Sequence, residues 1–177
     1  MKISFYDSTV PAIEHSLTSL QGILDIGHQF ALEQGIAESD MLSKKLYDDM
    51  FDLRMQVMAI NLLVLSQGAL LVGQVKGSPI NPEIDDFAGL QTAIDAMLSD
   101  LRKIDASVYN ARANDPIECT LRIGLASFES CYEMMRQWAM PHLYFHVTTA
   151  YDILRHNGAP LGKSNYLGKI NMSLKSP

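Results

Sequence analysis

Cysteine is nearly absent. Cys119 and Cys131 are the only two in 177 residues, so at most one disulfide is available and a disulfide-stapled secreted scaffold is excluded. Charge is also scarce, at 19% of residues, and it is one-sided, with 14 Lys and Arg against 20 Asp and Glu. The basic residues are scattered and form no stripe of the kind that a nucleic acid or an anionic membrane surface demands. Long apolar runs are missing too. The most apolar stretch, 57–72, contains Asn61, Ser66, Gln67 and Gly68, and reads as a buried helix too short and too polar to span a bilayer. The opening MKISFYDSTVP lacks the apolar core of a secretory signal. The expectation is a cytoplasmic protein with no nucleic-acid or membrane partner.

Several catalytic signatures are absent as well. There is no G-x-S-x-G elbow and no C-x-x-C pair. Asp48-Asp49 and Asp85-Asp86 are sequence neighbours, which diverge by about 100° on a helix and so make no acid/base pair. GAPLGKS, residues 158–164, imitates a phosphate loop but has three residues where a Walker loop needs four before Gly-Lys. It follows a helix rather than a strand, and reads as a helix stop. Trp138 and the methionines read as core or interface.

What is present is helical period. Ile13, Leu17, Leu20, Leu24 and Ala31 recur at three-and-four spacing, predicting a helix over about 8–34, capped by Asp7 or Ser8 and stopped by Gly35. A second helix is predicted over about 44–72, apolar nearly all round from Val57 onward, and therefore buried on more than one side or against a second subunit. A third covers about 83–104, with Phe87, Leu90, Ile94, Met97 and Leu101 on its core face. Period two then takes over at 117–132, a hairpin in which Gly124-Leu125 makes the turn and Ile123 faces Ala126. That register puts Cys119 and Cys131 on opposite faces, unsuited to a bridge. A fourth helix runs over about 141–157, with 134–140 as a short lead-in. The whole chain, 1–177, reads as one domain, an all-α antiparallel four-helix bundle with a small β-hairpin inserted between helices three and four.

The fourth helix carries H-x-x-x-H. His142 and His146 share a face on which a metal ion can be held, with His146 bordering the core, His142 further out and His156 toward water. On the second helix Asp49, Leu53, Gln56 and Ile60 share a face, so two polar groups interrupt an apolar stripe. A neutral amide such as Gln56 binds zinc or nickel weakly. The residues leave two readings open. Gln56 and His146 satisfy one another inside an apolar core, or Asp49, Gln56 and His146 line a pocket for a small polar ligand.

HVTTAYDILRHNGAPLGKSNYLG (146–168), YDDMFDLRMQV (47–57) and SFYDSTVP (4–11) together resemble the bacterial and fungal domain-of-unknown-function family DUF1993. That family is similar to the DinB/YfiT-like superfamily of four-helix bundles. The resemblance implies a homodimer and a divalent metal, zinc, nickel or manganese, held by three histidines. Here His142 and His146 match two of them, and Gln56 stands at the third position. It brings no known reaction. The expected function is a non-catalytic or ligand-binding bundle with a degenerate metal site. The alternative is a metal-dependent enzyme of the thiol-dependent transferase or hydrolase type using His142 and His146.

Overall fold

The computed structural model describes residues 3–172. Helix α1 (Phe5–Gln34) begins earlier than its apolar period suggests. Ser4 is its N-cap and Asp7 closes a capping box with it, each side chain serving the other's backbone N–H. Asp7 is thus the third helical residue rather than the cap. Pro11 consequently falls in the second turn, where both it and Asp7, the residue whose carbonyl loses a partner, are exposed to water. Gly35 ends the helix in the left-handed conformation.

A short helix, α2 (Glu38–Leu42), precedes the largest departure from the sequence expectation. Residues 44–52 are not helical. Asp52 accepts a hydrogen bond from Met55 N at 2.8 Å and so caps α3 (Leu53–Val72), while Leu53 N reaches back to Lys44 O at 2.9 Å. With the cap at Asp52 the chain upstream is released into turns, which leaves Leu46, Tyr47 and Phe51 exposed. By length and composition α3 is apolar enough to cross a membrane, because it starts four residues before the 57–72 stretch; 56% of its most apolar window is buried inside the bundle. Within it, residues Ile60–Ala69 take the wider π-helical winding.

Helix α4 (Phe87–Leu101) starts at an Asp86 cap rather than at Glu83 and ends before 104. Glu38 lends a carboxylate oxygen to Phe87 N at 2.8 Å, tying α2 to this start. Near its other end, Asp100 is buried and accepts hydrogen bonds from Ser78 N, Ser78 Oγ and Lys103 Nζ, which closes the 73–86 connection onto α4. A further short helix, α5 (Ala106–Ala111), leads into the hairpin.

The strands β1 (Ile117–Leu121) and β2 (Gly124–Phe128) pair antiparallel, with Leu121 opposite Gly124 and Ile117 opposite Phe128. The turn is therefore Arg122-Ile123, two residues earlier than expected. Gly124 opens β2 with φ 137°, a backbone that only glycine adopts without strain. Because the displacement is two residues, each side chain keeps its expected face, and Ile117 and Cys119 are buried. The second strand stops at Phe128, short of 132, and Cys131 already belongs to a helix. Both cysteines are free and buried.

Helix α6 occupies 131–156, ten residues longer at its start than expected. Its opening turn (Cys131–Met134) is capped by Ser130, a π-helical segment (Met135–Ala139) follows, and an α-helical part (Met140–His156) completes it. Met140 N donates five residues back to Met135 O, immediately before Pro141, whose missing N–H breaks the ordinary ladder. A five-residue helix, α7 (Lys163–Leu167), follows, beyond the last helix that the apolar period predicts, and His15 Nε2 on α1 meets Leu167 O at 2.8 Å.

Helix α1 packs against α4 and α6, and α3 packs against α6 and α4. These four make the bundle, and the hairpin sits between α4 and α6 in the chain. Its core is built from the faces predicted by period, including Ile13, Leu17, Leu24, Leu53, Ile60, Leu90, Ile94, Leu143 and Val147.

Candidate functional site

The contact between α3 and α6 brings Gln56 to His146. Gln56 is buried, and its Nε2 donates to the carbonyl oxygen of Phe51 at 2.9 Å. Since a carbonyl only accepts, the amide nitrogen must point there, and Oε1 faces the imidazole. Nδ1 of His146 lies 2.7 Å from that Oε1, so Nδ1 carries the proton and Nε2 keeps its lone pair. His142 reaches the same state by a different route. Its Nδ1 lies 2.8 Å from Trp138 O, another obligate acceptor, so the neutral ring carries its proton on Nδ1 and its lone pair on Nε2. The two rings are 5.8 Å apart between centroids and inclined by only 26°.

Aromatic rings surround the pair. Phe51 lies nearly parallel to His146, with 6.5 Å between centroids and 19° between planes, while Phe145 presents itself edge-on at 5.2 Å and 85°. Trp138 leans against His142 at 4.3 Å. Phe51, Leu63 and Pro141, together with the two histidines and Phe145, line an open groove of about 500 Å³, within the size range of small-molecule sites. No charged side chain lines it. His146 is 5% exposed, and burial, followed by the neighbouring His142, lowers its pKa to about 4. It is neutral at pH 7.

Asp49 does not share this face. It lies in the exposed turn before α3, because Asp52 rather than Lys44 marks the helix start. His156 is exposed, as the angular count places it. The aromatic wall was missed in the sequence: Phe51 becomes legible once Asp52 is recognised as a cap, and Phe145 borders His146 in the chain.

The residues present do not fit a metal centre with three protein ligands. Gln56 Oε1 is engaged by the Nδ1 side of His146, away from the nitrogen that would bind an ion. Among the described residues no group of three or more His, Cys, Asp or Glu side chains is placed to hold a metal. What the site offers is two imidazoles, each oriented through its Nδ1 and left with Nε2 for a partner.

The family model described as Domain of unknown function (DUF1993) matches residues 5–167. The chain is also similar to a crystal structure of a DinB family member protein from Shewanella denitrificans, with 28% identity and a TM-score of 0.81 over 96% of this chain and 95% of that one. A comparison with curated proteins finds no match.

Proposed function

Because this chain belongs to the DUF1993 family and has a DinB-like fold, and because the family brings no known reaction, we propose from the site itself that the protein is a non-catalytic, ligand-binding bundle. The groove between α3 and α6 is its binding site, and the metal site that the fold family suggests is degenerate. The observation that carries this reading is the direction of Gln56: its amide orients His146 and is not free to complete a ligand set. Tag-free protein equilibrated with zinc, nickel or manganese and then dialysed is expected to retain well under one ion per chain by elemental analysis. A stoichiometric ion that disappears in His146→Asn would overturn the degenerate-site reading in favour of the metal-dependent transferase or hydrolase. That alternative draws its support from the H-x-x-x-H spacing and from the anchored Nδ1–H of both rings.

We place the protein in the cytoplasm as a homodimer. Met55 and Leu62 support the dimer, being exposed and seven residues apart on α3, and so close to one stripe. Light scattering at micromolar concentration is expected to give twice the 19.7 kDa chain mass, and Leu62→Glu to halve it. A wild-type monomer would sink the dimer.

A further inference from the structure

We infer that the occupant of the α3/α6 groove is a neutral aromatic molecule bearing one O–H or N–H donor, of which phenol is the simplest. This rests on the groove being a ligand site, as proposed above, and goes on to say what enters it.

The polar side chains in the lining are two imidazoles, His142 and His146. Nε2 of His142 and Nε2 of His146 are both acceptors, because each Nδ1–H is spent on an oxygen that can only accept, Trp138 O at 2.8 Å and Gln56 Oε1 at 2.7 Å. A ligand complementary to such a wall must donate. An acceptor-only ligand, such as an ether or ketone, would leave the lone pairs facing one another. The lining carries no Asp, Glu, Lys or Arg, so an ammonium finds no carboxylate and a carboxylate finds no cation, and either charge would lose hydration without repayment. The walls are flat. The Phe51 and His146 rings lie within 19° of parallel, and Phe145 stands perpendicular to His146, an arrangement that suits stacking and edge contacts with another arene. The groove is open on one side, so binding is modest and selectivity comes from the donor rather than from enclosure.

Trp138 makes the test direct. It is the only tryptophan in the chain, and its ring touches His142 at 4.3 Å between centroids. The full chain is titrated at neutral pH with phenol, anisole and benzoate, following indole fluorescence excited at the red edge of its band. The histidine ¹⁵N signals are recorded alongside. Phenol is expected to give a saturable change, and anisole, the same ring without the donor, to bind about fivefold more weakly, the worth of one neutral hydrogen bond. Benzoate is expected to give none, and an Nε2 signal should move with phenol and not with anisole. Equal affinity for phenol and anisole, or tighter binding of benzoate, overturns the donor-bearing neutral class while leaving the groove a ligand site. No saturable response to either phenol or anisole overturns the groove reading, and this inference with it.

Discussion

Acidification from pH 7 to pH 5 is expected to lower the unfolding free energy by about 2 kcal/mol through His146 alone. The folded imidazole titrates near 4 because burial, and then His142, disfavours its charged form, whereas the unfolded one titrates near the ordinary value of about 6.5. Between those two values the unfolded chain holds a proton that the folded chain does not, so added acid draws the equilibrium toward unfolding. The contribution is flat above about pH 7 and is exhausted below about pH 4. His146→Asn isolates it. The shorter amide can donate to Gln56 Oε1 from roughly the place of Nδ1–H, and it does not titrate. Urea melts of both proteins at pH 7, 6 and 5 check this, with the wild type expected to lose about 2 kcal/mol more than the variant across the range. Parallel losses in the two proteins would remove His146 as the cause. Protonation of the folded imidazole also converts its Nε2 from acceptor to donor, so phenol binding should weaken as the pH falls through about 4, below the range in which most of the stability is lost.

Asp100→Ala should cost about 3 kcal/mol at pH 7, and Asp100→Asn roughly half of that, on the scale of charge-assisted hydrogen bonds lost from a buried carboxylate. The carboxylate accepts from Ser78 N, from Ser78 Oγ at 2.8 Å and from Lys103 Nζ at 2.6 Å. Removing it leaves the Ser78 amide without a partner and unfastens the connection between α3 and α4. Burial by itself pushes the Asp100 carboxyl up, but the hydrogen bonds from Lys103 and Ser78 outweigh it and hold the group below the usual carboxylate range. Its contribution is therefore complete at pH 5 and lost only as the pH falls through its lowered folded value. The cost of Asp100→Ala is expected to be the same at pH 7 and pH 5, whereas the contribution of His146 changes between them. A cost below about 0.5 kcal/mol, the level of an ordinary surface substitution, would show that the clamp is ornamental.

The bundle was legible because apolar period survives local irregularity. Ile13, Leu17 and Leu24, or Leu90 and Ile94, are buried whatever the helix ends do. The ends were less legible, since they depend on which polar side chain captures a free amide. Ser4 captured Asp7 N and Asp52 captured Met55 N, and neither is marked by hydrophobicity. That one misplaced start carried Asp49 into a site it does not join. The hairpin shows the opposite balance: its turn moved by two residues and its faces did not, since strand alternation is blind to an even displacement. At the site, Gln56 stood out as a polar break in an apolar stripe. Its direction did not, because that is decided by the Phe51 carbonyl, five residues away in an irregular segment that no period describes. The π-helical segments were invisible for a related reason. A few wide turns barely disturb an average spacing of three to four.

Those wide turns have a meaning in the language of insertions and deletions. A π turn fits one residue more than an α turn into the same arc, so α6 is a codon longer than its path requires. The surplus lies within Met135–Ala139, packed against the π segment of α3, where Gly68 leaves room for the Ala139 methyl. Loss of Arg136 or Gln137, both exposed, would let the segment relax to an α turn and leave His142 and His146 where they are. The same loss among residues 143–145 would swing His146 by about 100° away from Gln56. One stretch of the helix can therefore shed a codon without disturbing the pair, and the next cannot.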